Sequence, residues 1–202
     1  MPEYSFILAG RVGVGKSSLF ARINNGTTPD CSEGIIDTRN TWDDVGLERL
    51  VHETAVNGRE IKVSLWDTGG LERYDSMTAN YYRHAHAVIL VYDVMAEDTL
   101  YCLSDWIREA RQNSRWSDRL VFALWGNKCD RKDHVTRDDA VSAFISKHNI
   151  SPDLTTKVSS TIEGSVETAF STLIEQVDQS FSQVGFEGDT VDRDVNRLLF
   201  SF

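Results

Sequence analysis

The sequence predicts an α/β layer fold with a mostly parallel sheet, and three observations carry that expectation. Continuous apolar runs, "YSFILA", "AVILVYD" and "LVFALWG", have the length and composition of strands buried on both faces. The last two are each followed by a stretch with helical apolar spacing, as strand–helix alternation requires. One further pair of runs flanks the dipeptide Asn57-Gly58, the mark of an antiparallel hairpin. Folds of this kind bind ligands beyond the carboxyl ends of their strands.

Along the chain, residues 4–9 form the first expected strand, which ends at Gly10 and delivers the chain into "GRVGVGKSS" at the start of a helix. Residues 48–56 and 59–66 form the hairpin, with Ile61, Val63 and Leu65 alternating with Lys62, Ser64 and Trp66. Strands follow at 87–93 and 120–126. Helical stripes run through Leu100, Leu103, Trp106, Ile107 and Ala110, then Ala140, Val141, Phe144 and Ile145, then Val166, Ala169, Phe170, Leu173, Ile174, Val177 and Phe181. All three read as core faces. Thr136, with Asp139 three residues on, is expected to cap the second.

The 202 residues, 41% of them apolar, suffice for one well-covered core. A formal charge of −10 argues against a nucleic-acid or anionic-membrane surface, because both need clustered cations to displace counterions. Cys31, Cys102 and Cys129 are odd in number and without C-x-x-C spacing, so an intracellular chain is expected, with no disulfide framework and no zinc site. His84 and His86 flank a strand start and are expected to be surface or loop residues instead of metal ligands.

Gly10 to Ser17 fits G-x-x-x-x-G-K-[ST] between a strand and a helix, the context a phosphate-binding loop requires. Backbone N–H groups of Gly13, Val14, Gly15, Lys16, Ser17 and Ser18 would surround a β-phosphate. The Lys16 ammonium would reach the β and γ oxygens, and the Ser17 hydroxyl would face Mg²⁺. In "GNKCD" the Asp130 carboxylate can accept the N1–H and 2-amino protons of guanine, a donor pair adenine lacks. Lys128 would lie along the base, and Asn127 would tie this loop to the phosphate loop. Backbone N–H groups of Ser159 and Ser160, in "KVSST" with Thr161, would donate to guanine O6. A site built on such bonds rejects the wrong base by roughly 10⁴- to 10⁵-fold. Alone, "NKCD" is also compatible with an ordinary polar loop; its interval from the phosphate loop argues for the base site.

"WDTGGLERY", "YYRHAHAVILVYD", "GNKCD" and "VETAF" together resemble the small GTPases of the Ras superfamily, most closely the Rab branch, over residues 4–183. The resemblance implies a P-loop NTPase three-layer fold with a six-stranded sheet, one strand antiparallel, and about five helices. It implies GTP or GDP and Mg²⁺ as ligands, with Gly70 at the γ-phosphate and Ser17, Asp67 and a switch I threonine around the metal. It also implies two switch loops that bind effectors, and partners in the form of a GTPase-activating protein and an exchange factor. A GTPase domain over 1–183 and an acidic, flexible tail over 184–202 are expected.

Four departures qualify the resemblance. Leu71 stands where the family's water-positioning glutamine would be, and Gly69 replaces its usual alanine. Val12 stands where Ras proteins carry glycine and Rabs a small polar residue. The interval from Lys16 to Asp67 is about nine residues longer than in Rab chains, placing extra length in switch I. The metal-binding threonine is expected at Thr41, with Thr38 and Asp44 as alternatives, and no aromatic stands where the family packs one on guanine. Finally, "NRLLFSF" has none of the cysteines that Rabs prenylate, so a cytoplasmic protein that reaches membranes through a partner is expected. The sequence thus predicts a molecular switch, by resemblance in vesicle trafficking, with hydrolysis impaired by Leu71 and Val12. A GTP-locked binding module without turnover is the alternative, and Asp130 disfavours an ATP-dependent enzyme.

Overall fold

The structure, a computed structural model, describes residues 1–25, 48–68 and 82–182. Six strands form one sheet: β1 (Glu3–Ala9), β2 (Glu48–Val56), β3 (Arg59–Asp67), β4 (Ala87–Asp93), β5 (Val121–Asn127) and β6 (Thr155–Lys157). The described residues also contain the helices α1 (Lys16–Asn25), α2 (Asp98–Asn113), α3 (Asp138–His148) and α4 (Ser165–Ser182). The strand order is β2-β3-β1-β4-β5-β6, with β2 antiparallel to β3 and every other pair parallel.

The hairpin turns where expected because Asn57 and Gly58 adopt φ of 51° and 78°, as a two-residue turn matching the twist of its strands demands. Alternate residues of each strand then face opposite layers. Phe6 and Leu8 join Leu19, Phe20 and Ile23 of α1 and Val166, Phe170 and Leu173 of α4 in one buried cluster. Ile7 and Ala9 join Leu100, Leu103 and Ile107 of α2 and Ala140, Val141 and Phe144 of α3 in another. The period of two in the sheet and of 3.6 in the helices accounts for both clusters. The three helical stripes are core faces.

One expectation fails for an identifiable reason, and a second holds in a different way, His86 lying in the loop before β4 but buried there. Thr136 does not cap α3: it is buried, its hydroxyl donates to the Asp93 carbonyl at 3.4 Å, and Arg137 occupies the cap position without a side-chain bond. The tertiary partner outcompetes the local one. His86 is not a surface histidine but is 8% exposed, stacked on Trp116 and edge-on to Tyr4 and Phe181. Its Nδ1 accepts the Ser5 N–H at 3.0 Å. Burial, with Arg115 and His84 as lesser causes, pushes its pKa down to about 4. The short strand β6 had no periodic signature of its own.

Candidate functional site

Four strands deliver the candidate residues to one edge of the sheet: β1 runs into Gly10, β3 ends at Asp67, β4 at Asp93 and β5 at Asn127. The segment after β6 adds Val158 to Thr161, its Val158 N–H donating to the Gly126 carbonyl at 2.9 Å.

The phosphate loop has backbone angles that only its glycines supply cheaply. Gly10, Gly13 and Gly15 have φ of 146°, 84° and 99°. A Cβ on Gly10 would stand 2.3 Å from the Val91 carbonyl oxygen, and one on Gly15 would stand 2.3 Å from Asn127 Nδ2. Lys16 is buried, and its ammonium donates to the carbonyls of Gly10 at 2.6 Å and Arg11 at 3.2 Å, which curls the loop around it. Ser17 and Ser18 are exposed, Val14 is buried, and the Val12 side chain is 54% exposed. Asp67 is buried at the end of β3, and the neighbouring Thr68 hydroxyl donates to the Leu8 carbonyl at 2.9 Å. An ammonium, two exposed hydroxyls at a helix N-terminus and glycine-opened backbone make a donor set that suits a phosphate group. The Ser17 hydroxyl and the Asp67 carboxylate are hard oxygen donors of the kind Mg²⁺ takes.

The base loop is fastened to this one by two side chains and to β4 by a third bond. Asn127 Nδ2 donates to the Val14 carbonyl at 2.8 Å, and Lys128 Nζ donates to the Gly13 carbonyl at 2.8 Å and Asp93 Oδ2 at 2.6 Å. Lys128 itself sits at φ 68°, a left-handed conformation uncommon for a residue with a Cβ. The Asp130 side chain is exposed and accepts the Ser159 hydroxyl at 2.6 Å. That bond is the largest cause of a carboxyl held below the usual carboxylate range. The Ser159 oxygen meets Thr161 Oγ1 at 2.8 Å and accepts the Thr161 N–H at 3.1 Å.

One backbone assignment changes. The Ser159 N–H donates to Ser165 Oγ at 3.1 Å, so this N–H is engaged and Ser159 faces the site through its hydroxyl. Among the described residues nothing accepts the Ser160 N–H, which leaves it as the donor suited to a base carbonyl. Thr41, Thr38, Asp44, Gly69, Gly70 and Leu71 lie outside the described residues, as does the expected tail. Asp93 and Ser165 escaped the sequence reading. Asp93 had a signal, a carboxylate closing the apolar run "AVILVYD" at a strand's carboxyl end, whereas Ser165 had none.

Strand, glycine loop, buried lysine and helix N-terminus are thus joined by side chains to a second loop ending in an exposed, oriented carboxylate. A sequence model of the Ras family matches residues 5–179, which takes in all of these elements. The chain belongs to the Ras family. Within that family it is similar to Rab proteins. It is 36% identical over 134 residues to the Ras-related protein Rab-30 of Homo sapiens, a match that spans 64% of this chain and 61% of that relative's length. It is 35% identical over 175 residues to the Ras-related protein Rab-18 of Lymnaea stagnalis, spanning 86% of this chain and 80% of the relative. To the GTP-binding protein YPT1 of Saccharomyces cerevisiae it is 32% identical over 182 residues, spanning 89% and 81%. The six-stranded order with one antiparallel edge strand is the Ras-family arrangement expected from the motifs. No described helix is long and apolar enough to cross a membrane.

Proposed function

We propose that this Rab-like chain binds GTP with Mg²⁺ and acts as a molecular switch in vesicle trafficking whose own hydrolysis is strongly impaired. The observation that carries the reading is the coupling of the two loops: Asn127 and Lys128 bond to the phosphate loop while Ser159 orients the Asp130 carboxylate beside them. A site linked in this way recognises base and phosphates as one ligand. Lys16 and the N–H groups of residues 13–18 hold the phosphates, and Ser17, Asp67 and Thr41 form the protein's share of the metal shell. Gly70 meets the γ-phosphate, and Asp130 with the Ser160 N–H selects guanine. Mg²⁺, when bound, neutralises charge on the β and γ oxygens. Residues 1–183 make the GTPase domain, and 184–202 an acidic tail outside it.

Impairment follows from Leu71, which offers no donor or acceptor to a water, and from Val12. The exposure of the Val12 side chain on the phosphate loop favours a second reading, a binding module held in the GTP state, because an exposed isopropyl group obstructs an approaching activating protein. Either way the output is a switch surface read by effectors, with an exchange factor as the means of resetting it. Membranes are reached from the cytoplasm through a partner.

Ion-exchange chromatography of nucleotide released by denaturing the purified chain tests the proposal. Mostly GTP is expected. Mostly GDP would overturn the impaired hydrolysis, and an adenine nucleotide would overturn the guanine assignment.

A further inference from the structure

We infer that Asp93 is a positioning residue for nucleotide retention, holding Lys128 as a rigid strut between the base loop and the phosphate loop; this rests on the guanine-nucleotide reading above. Two observations bear on the carboxylate and a third on the turn that follows it. Its Oδ2 stands 2.6 Å from Lys128 Nζ, the same ammonium that donates to the Gly13 carbonyl at 2.8 Å. Its Oδ1 accepts the Met95 N–H at 2.9 Å, and its own N–H donates to Thr99 Oγ1 at 3.0 Å, so backbone and side chain are both tied down where β4 meets α2. The segment beyond the base loop returns to the same turn, the N–H groups of Val135 and Thr136 both donating to the Val94 carbonyl at 3.0 Å.

A lysine stem has four rotatable bonds and gains nothing as a platform unless its end is held. Here the end is held twice, by a neutral acceptor on the phosphate loop and by a charged one on β4. The backbone of Lys128 is already in the left-handed region, so the stem is fixed at its root as well. The charged bond is the stronger of the two and is largely withdrawn from solvent, the Asp93 side chain being 14% exposed. Without that charge the ammonium keeps one neutral acceptor and is free to turn toward water. The stem then ceases to be a shelf, and the Gly13 end of the phosphate loop loses its link to the base loop. Asp93 touches neither base nor phosphate; it acts through Lys128.

The experiment uses the full chain loaded with a fluorescent GDP analogue and follows its release by stopped flow in Asp93→Asn, Lys128→Met and the double variant. Asparagine keeps an acceptor for the Met95 N–H and replaces the charged oxygen facing Lys128 with an amide NH2 that cannot accept. Each single variant should release nucleotide about 10- to 100-fold faster, and the double variant no faster than Lys128→Met alone. A merely structural role predicts that the two effects multiply, and that result would overturn the inference. Should Asp93→Asn fail to fold, acylation of the unmutated chain at mildly alkaline pH decides. The Lys128 amine should react at least tenfold more slowly than that of exposed Lys132, and equal rates overturn the inference. If the unmutated chain holds no guanine nucleotide, the functional reading falls and takes the inference with it. If it holds GDP and Asp93→Asn releases it at the parental rate, only the inference falls.

Discussion

Ser159 Oγ donates to Asp130 Oδ1 at 2.6 Å, joining the segment after β6 to the loop after β5 through a side chain that is almost fully buried at one end and exposed at the other. The bond fixes one carboxylate oxygen and favours the charged form. Asp130→Ala is expected to lower GTP affinity by roughly 10²-fold or more and to remove the preference over ATP, and Ser159→Ala to lower affinity by about tenfold. Calorimetry with both nucleotides checks this; equal affinities of the unmutated chain for GTP and ATP would refute it. Because the carboxyl pKa is lowered, its charge survives until pH falls through that lowered value. Base selectivity should therefore be flat between about pH 8 and pH 5.

Gly15 is required twice, once for its φ of 99° and once because a Cβ would lie 2.3 Å from Asn127 Nδ2. Gly15→Ala must push Asn127 away from the Val14 carbonyl, separating the two loops. A stability loss of about 1–3 kcal/mol is expected, with nucleotide release accelerated as well. Gly13→Ala meets no atom within 4 Å and should strain only its own φ, so its thermal midpoint should lie between those of the parent and Gly15→Ala. A Gly15→Ala protein melting with or above Gly13→Ala would contradict the clash.

At the opposite pole, His86 supplies a pH dependence with a definite sign. Its folded-state pKa is near 4, below the unfolded value near 6.5, so the unfolded chain takes up a proton first as the solution is acidified. The stability from this group is present above about pH 6.5 and is lost progressively toward pH 4, on the order of 3 kcal/mol across that window. His86→Gln retains an acceptor for the Ser5 N–H and cannot titrate. Urea unfolding at pH 7 and pH 4.5 should show a smaller loss for His86→Gln than for the unmutated chain, and equal losses would dismiss the assignment.

Most of the fold was legible because β1, β4 and β5 are largely buried and nearly continuously apolar, and because Asn57-Gly58 has few alternatives to a hairpin. The candidate site was legible where backbone geometry forces residue type, at Gly10, Gly13 and Gly15. What escaped depends on partners remote in sequence. Thr136 looks like a helix cap until the Asp93 carbonyl, 43 positions away, claims its hydroxyl. His86 looks exposed until Tyr4, Trp116 and Phe181 surround it. Ser159 carries two polar groups, and only the position of Ser165 shows that its N–H is engaged within the fold while its hydroxyl meets Asp130. Asp93 closes an apolar run, and nothing local distinguishes a strand-end carboxylate from the anchor of a lysine 35 positions on.

Val12 and Leu71 together make the last prediction, that hydrolysis is blocked at the water and not at the nucleotide. In Ras, a glutamine that orients water and an activating protein's arginine together accelerate hydrolysis about 10⁵-fold, or about 7 kcal/mol of barrier. Leu71 stands at the position of that glutamine in "WDTGGLERY", and leucine has neither donor nor acceptor with which to align a nucleophile. Val12 carries an exposed isopropyl group on the phosphate loop, three residues before Gly15, and its bulk there is expected to crowd both the water-positioning group and an incoming arginine. The proposed phosphate contacts come from Lys16 and the N–H groups of residues 13–18, which neither side chain supplies, so nucleotide affinity should be untouched by replacing them. If both residues obstruct one step, restoring either alone leaves the other in the way. Leu71→Gln and Val12→Gly should then each recover little single-turnover hydrolysis. The double replacement should recover far more than the product of the two. Measured with GTP preloaded, in the same Mg²⁺ and at one temperature, an unmutated chain that hydrolyses as fast as the double replacement would end the idea. A double replacement equal to the product of the single ones would show instead that the two residues act on separate steps.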